Sequence, residues 1–155
     1  MEKTLLIIKP SGVHRGLVGE VISRFERKGL RLAGTKMMRL NDDILNVHYA
    51  HLKEKPFFES VKKSMMSAPV IVMCWAGVDA AKVVRNLTGC TNGREAAPGT
   101  IRGDFSVSAQ ENIVHTSDSP QSAKVELSRF FSDAELFDYK LLVSDNLYSE
   151  DELER

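Results

Sequence analysis

The chain has 155 residues, 43% hydrophobic and 27% charged, and its 21 Lys+Arg balance 21 Asp+Glu to a formal net charge of zero. That length fits one compact domain over 1–155 with a real core, and the even balance argues against a dedicated nucleic-acid binder, which carries a basic excess or stripe. The longest strong apolar run, Val70–Ala76, is far too short to cross a membrane, so no membrane association is expected.

Cys74 and Cys90 form no CxxC pair, which favours a reducing compartment. Met1-Glu2-Lys3-Thr4 enters an apolar strand without the pattern of a secretory signal, so the expected location is cytoplasmic.

Along the chain, Thr4–Ile8 is a continuous apolar run ended by Lys9-Pro10, which predicts a strand buried on both faces. Ser11-Gly12 and Gly16 punctuate a loop. Leu17, Val18, Val21, Ile22 and Phe25 then recur at helical spacing, with Glu20, Arg24 and Arg27 opposite and Gly29 as the stop. Residues 31–40 predict a second strand, and Asn41-Asp42 caps a helix carrying Ile44, Leu45 and Val47. Lys55-Pro56 precedes a helical segment, Phe57 to Met66. Val70–Ala76 predicts a strand ended by Gly77, and Val78–Leu87 a helix. From Gly89 to Gly103, four glycines, Pro98 and polar residues predict a long irregular loop of the kind that carries function. A very short strand over Asn112–His115 leads to a helix with Ser119 at its N-cap and Pro120 at N1, running to about Phe131. The acidic tail, about 145–155, is expected to fray at its end. This order predicts an α/β or α+β sandwich. Two strand–helix–strand units give a ferredoxin-like β-α-β-β-α-β sheet with helices on one face.

Three segments are too polar and glycine-rich to be mere connections: 9–16, 89–104 and 112–119. Lys9 ends a buried strand beside a glycine-rich turn, where an isolated lysine most often simply snorkels out of the core. The second segment and the helix before it bring Arg85, Arg94 and Arg102 near Thr88, Thr91 and Thr100. Guanidinium forks, hydroxyls and free N–H groups suit a polyphosphate, although Arg94 reads as an ordinary solvated side chain. No G-x-x-x-x-G-K-[ST] and no G-x-G-x-x-G occurs, which removes P-loop, Rossmann and protein-kinase glycine-loop sites.

His115 ends the short strand just before Thr116-Ser117-Asp118-Ser119, a helix-start signature, and a helix N-terminus favours bound anions. A neutral imidazole is a usable nucleophile toward phosphorus if a second group fixes its tautomer, and Glu126 in the following helix suits that part. His14, His48 and His51 read as structural, and their spacing supports no metal site.

Taken together, Lys9-Pro10-x-Gly12-Val13-x-Arg15-Gly16-Leu17-Val18-Gly19-Glu20, Pro56-Phe57-Phe58, residues 98–105 (PGTIRGDF) and Asn112-Ile113-Val114-His115-x-Ser117-Asp118-Ser119 resemble the nucleoside diphosphate kinases, in order and over essentially the whole chain. The resemblance implies a ferredoxin-like fold and a magnesium-dependent, two-step exchange, in which ATP or another nucleoside triphosphate phosphorylates a histidine and a nucleoside diphosphate takes the group away. His115 matches that histidine, Glu126 the glutamate that orients its ring and Ser117 the serine beside it. Lys9, Tyr49, Arg85, Thr91, Arg102 and Asn112 match residues that hold phosphates or ribose. Phe57 matches the aromatic on which the base stacks, with Val61 below it and Ala109 in the clamp.

Magnesium is then carried by the nucleotide phosphates, with no protein metal ligands. The long C-terminus favours a hexamer over a tetramer, by analogy. Departures from the family pattern are Ser11 for Asp, Gly93 for Pro, Ala109 for a bulkier apolar residue, Gln110-Glu111 for Gly-Arg, and Thr116 for Gly, which stands to crowd the nucleophile. The competing readings are a non-catalytic nucleotide-binding scaffold of the same fold and a histidine phosphocarrier for protein partners. The second leaves Phe57, Arg85 and Arg102 without a role.

Overall fold

The computed structural model describes residues 1–153. Its elements run β1 (Glu2–Ile8), α1 (Pro10–His14), α2 (Val18–Lys28), β2 (Arg31–Met38), α3 (Asp42–His48), α4 (Phe58–Met65), β3 (Val70–Gly77), α5 (Ala80–Thr88), α6 (Ile101–Phe105), β4 (Val114–Thr116), α7 (Pro120–Phe130) and α8 (Glu150–Leu153). The four strands form one sheet in the order β2-β3-β1-β4, and every neighbouring pair is antiparallel. This is the ferredoxin-like arrangement expected from the order of elements.

Helices cover both faces of the sheet, not one. In β1 alternate side chains go to opposite layers. Leu5 and Ile7 pack with Leu45, Tyr49, Met65, Leu127 and Phe130, while Leu6 and Ile8 pack with Val21, Phe25, Trp75, Val84 and Ile101. Continuous apolar runs in β1 and β3 follow directly from that double burial. Each residue of Leu5–Ile8 is fully buried, and at about 25 cal/mol per Å² such side chains stabilise the fold by roughly 1.5–3 kcal/mol apiece.

The sequence signals at the helix ends operate as read. The Asn41 side chain accepts from Ile44 N at 3.1 Å, and Ser119 Oγ accepts from Ser122 N at 3.1 Å with Pro120 at N1. Gly29 closes α2 in the left-handed region at φ 96°.

Two segments differ from expectation. Residues 10–14 form a short helix where a loop was expected, because Pro10 sits at N1 behind extended Lys9. The glycine at position 12 is there for space: a Cβ would lie 2.7 Å from Ile8 Cγ2 and 3.1 Å from Ile113 O. The long loop after Gly89 also contains a helical turn, α6, whose N-cap Thr100 accepts from Gly103 N at 3.0 Å. Ser144–Asn146 forms a 3-10 turn ahead of α8, and the end of the acidic tail, 154–155, lies outside the described residues.

Candidate active site

β4 brings the histidine to the sheet edge. His115 pairs with Ile7 of β1, so its ring stands on the face covered by α3, α4 and α7. Thr116 pairs with Leu6, which packs in the opposite layer. The pleat therefore sends the Thr116 side chain to the face opposite the imidazole, although Thr116 still lines the cleft.

Just before β4 the backbone makes an unusual turn. Val114 N donates to Asn112 O at 2.8 Å across Ile113, whose φ is +74°. This is a γ-turn of the rare positive-φ hand, costly for a β-branched residue. Full burial of Ile113 and the 2.8 Å bond from Lys9 N to its carbonyl hold it there. The turn separates the side chains of Asn112 and His115 so that both reach the same cleft.

In that cleft, about 620 Å³ in volume, His115 Nε2 lies 3.2 Å from Glu126 Oε2 and 3.3 Å from Oε1. Ser117 Oγ donates to Glu126 Oε2 at 2.6 Å. Burial pushes the Glu126 carboxyl up, but its bond to His115, the charge there and the Ser117 hydroxyl outweigh it and hold the group well below the usual carboxylate range. The carboxylate fixes the neutral ring as the Nε2–H tautomer and leaves the Nδ1 lone pair free.

His48, buried and read from sequence as structural, packs edge-on against His115 with ring centroids 4.4 Å apart. His48 Nδ1 accepts from Arg129 at 2.9 Å. A guanidinium only donates, so His48 carries its proton on Nε2. Burial and then the neighbouring His115 charge lower its pKa, which keeps the ring uncharged beside the nucleophile. His48, His115 and Glu126 present ligand atoms within 4.8 Å of one another, a grouping their spacing did not reveal. The Arg129 bond leaves the second nitrogen of His48 protonated and so opposes a metal there.

The other candidates gather around this point. Lys9 Nζ donates to Asn112 Oδ1 at 2.6 Å, and Asn112 Nδ2 donates to Thr91 O at 2.8 Å and Ala109 O at 2.9 Å. Burial, then Arg102, lowers Lys9 from 10.5 to about 8, with Glu111 acting in the opposite direction. Arg102 is nearly buried and its three nitrogens bond the carbonyls of Asn112, Gly89 and Val114. It therefore locks the loop after α5 onto β4 as well as presenting charge. Arg85 is exposed and pairs with Asp118. Tyr49 is buried with its hydroxyl unpartnered in the cleft wall, an unfilled hydrogen bond that a ligand would complete.

At the mouth, Phe57 is 45% exposed with Val61 beside it and Ala109 on the other wall. Thr88 and Thr100 are used up structurally, and exposed Arg94 bonds Val107 O away from the cleft. His51, Gln110 and Asp118 also line it. His51 was read as structural and Gln110 only as a departure from the family pattern, while Asp118 was visible as the carboxylate in the helix-start signature.

A cleft with cations at its deep end and an exposed aromatic at its mouth defines the class, a nucleotide-handling phosphotransferase. Comparison with known proteins agrees. A sequence model of the family described as nucleoside diphosphate kinase matches residues 2–136. The chain is 65% identical over 152 residues to a nucleoside diphosphate kinase of Parabacteroides distasonis, covering 98% of this chain and 99% of that one. It is 51% identical over 150 residues to one from Archaeoglobus fulgidus, covering 97% and 99%. Among solved structures, a halophilic nucleoside diphosphate kinase from Halobacterium salinarum in complex with CDP superposes with a TM-score of 0.93 at 41% identity, covering 96% of this chain and 99% of that one. The chain belongs to the nucleoside diphosphate kinase family. It is an enzyme that moves phosphoryl groups between nucleoside phosphates, and the scaffold alternative is not favoured.

Proposed function

We propose that the exchange runs through His115, and the observation that carries this is the Glu126 carboxylate on Nε2, which leaves Nδ1 as the free nucleophile. In the first half-reaction the Nδ1 lone pair attacks the γ-phosphorus of a nucleoside triphosphate. An N–P bond forms, the γ-phosphorus–bridging-oxygen bond breaks, and the nucleoside diphosphate leaves with that oxygen and its electron pair. The ring gains positive charge as it is phosphorylated, and Glu126, backed by Ser117, stabilises the Nε2–H. In the second half-reaction a terminal oxygen of another diphosphate attacks the same phosphorus and restores the imidazole. Lys9, Arg85 and Arg102 neutralise phosphate oxygens, while Thr91, Asn112 and Tyr49 supply polar contacts to phosphate or ribose. The base stacks on Phe57 over Val61 and opposite Ala109. Stacking without edge readout makes the enzyme tolerant of different bases.

The carboxylates lining the cleft are engaged, Asp118 by Arg85 and Glu126 by His115. That donor set fits magnesium arriving on the nucleotide phosphates, where it neutralises charge during transfer. Exposed Phe137, Val143 and Leu142 offer apolar surface for self-association, and the assembly proposed is a homohexamer, which sedimentation mass distinguishes from a tetramer. Cytoplasmic location is part of the same reading, checked by cell fractionation. Among the described residues no helix is long and apolar enough to cross a membrane.

The test is to mix the protein with magnesium and γ-labelled ATP and then denature it. Acid-labile, alkali-stable label that disappears on adding GDP and is absent in His115→Ala supports the exchange. Tight nucleotide binding without any label overturns it in favour of a binding scaffold.

A further inference from the structure

The two walls of the cleft mouth belong to different parts of the fold. One is α4 with Phe57 just before it, and the other is the loop 106–112 carrying Ala109. The loop is braced internally. Ser106 Oγ bonds the carbonyls of Ser108 and Glu111 at 3.1 and 3.2 Å, Ser108 Oγ accepts from the backbone of Gln110 and Glu111 at 3.2 and 3.0 Å, and Asn112 ties Ala109 O. The α4 wall is seated in the core by Phe58 and Met65, but among the described residues it has little hydrogen-bond bracing toward the rest of the molecule. Among the described residues, the side-chain hydrogen bonds from 57–66 to the chain outside 41–67 all end on the adjacent pair Gln110 and Glu111. Ser64 Oγ donates to Glu111 Oε1 at 2.6 Å. Gln110 Nε2 donates to Ser60 Oγ and O at 3.3 and 3.5 Å. The Lys62 ammonium turns the other way, to Asp42 and Asn46 within the α3–α4 hairpin.

We propose that Gln110 and Glu111 are positioning residues which latch α4 to the 106–112 loop and so set the gap between Phe57 and Ala109 in which the base is held. The role rests on the reading of Phe57 and Ala109 as the base clamp. A methyl at position 109 reaches only a short way toward Phe57, so the spacing of the walls decides whether a planar ring touches both. Bond lengths rank the two ties. The short Ser64–Glu111 bond, with a charged acceptor, carries most of the restraint, and the long Gln110–Ser60 contacts trim it. Glu111 also lies near enough to Lys9 to favour its charged form, so the test must separate the bond from the charge.

The experiment measures the dissociation constant of ADP and of inorganic triphosphate, a base-free probe, on the full chain. The variants are Glu111→Ala, Glu111→Gln, Ser64→Ala, the Ser64→Ala/Glu111→Ala pair and Phe57→Ala. The rate of His115 labelling at saturating ATP is measured alongside. Loss of the latch is expected to raise the ADP constant roughly 3–10-fold in Glu111→Ala and Ser64→Ala. The double variant should be no worse than either single one, Glu111→Gln should recover near wild-type ADP binding, and triphosphate binding and the labelling rate should stay unchanged in Ser64→Ala, which leaves the Glu111 charge in place. Phe57→Ala is the separate control and should weaken ADP roughly tenfold or more. A normal ADP constant in Phe57→Ala sinks the base-clamp reading itself. Weakened ADP in Phe57→Ala with normal Ser64→Ala and Glu111→Ala sinks only the latch. Glu111→Gln behaving like Glu111→Ala while Ser64→Ala is normal also overturns it, because charge on Lys9, not the bond, then explains the effect.

Discussion

Glu126 and Lys9 meet the nucleotide chemistry from opposite ends of the acid–base scale. The Glu126 carboxylate orients the His115 ring, so Glu126→Ala frees that ring to rotate. Misplacement of a reacting atom by about 1 Å costs on the order of 10²-fold, and the single-turnover labelling rate should fall by about that factor, with Glu126→Gln in between. Lys9, lowered to about 8 chiefly by burial, is protonated below that pH and loses its charge as pH rises through it. Phosphate binding to the free enzyme should therefore weaken on the alkaline side of pH 8. Lys9→Met should bind weakly at all pH values and lose that limb, and an unchanged limb in Lys9→Met would assign it to another group. The convergence of these residues on one cleft was readable where each sat in a patterned motif, as His115, Glu126 and Lys9 do. His48 was read as an ordinary buried histidine because its relation to His115 exists only across the contact of α3 with β4, with Arg129 of α7 fixing its tautomer. Nothing in local spacing encodes that. Gly93, a departure from the family's proline, also has a local cause. Its N–H donates to Ser108 O at 3.0 Å, and a Cβ would meet Ser106 O at 2.4 Å, so proline fits neither the bond nor the space.

Elements were legible in proportion to how locally their signals act. Asn41, Ser119-Pro120 and Gly29 marked helix ends because capping involves only neighbouring backbone groups. Helix α1 was missed because Pro-Ser-Gly reads as a turn, and only the close approach of Ile8 and Ile113 explains the glycine. Helix α7 is the element on which the site depends most, since it carries Glu126 and follows directly on β4. Replacing its cap, Ser119→Ala, should destabilise the protein by about 1 kcal/mol, lowering the melting temperature by roughly 2–4 °C at this chain length. Calorimetry reads that shift, and the labelling rate of the folded enzyme at 25 °C should barely change. A large loss of rate with no thermal effect would mean instead that the cap acts on the chemistry.

Across the whole molecule, the chemistry and the C-terminal segment sit on opposite edges of the sheet. His115 lies on edge strand β4, while residues 137–139 run along edge strand β2, where buried Arg31 donates to Phe137 O at 3.2 Å, pairs with Asp138 and packs its guanidinium over the Tyr139 ring. Tyr139 Oη in turn donates to Leu32 O at 2.8 Å. The match to the family model ends at residue 136, just before this strap. Arg31→Ala should loosen it, seen as faster proteolytic cutting after about residue 136 with His115 labelling kept. Equal loss of both would show that the strap supports the site. Overall topology was legible from the alternation of strands and helices, but coverage of both faces was not, because a run such as Leu5–Ile8 does not say which helix meets which side.

The same topology sets a timetable. The central strand β1 precedes the rest of the sheet in the chain, yet its partner β4 and the Lys9–Asn112 contact, 103 positions apart, must wait until the chain beyond β3 and α5 is in place. Pairings this remote carry a loop-closure cost before any gain and make folding slow. In refolding, nucleotide-dependent labelling should return only with the final slow phase, together with burial of Trp75 in the second layer. A shortened chain ending before β4 would leave the β1 edge open as a template for aggregation.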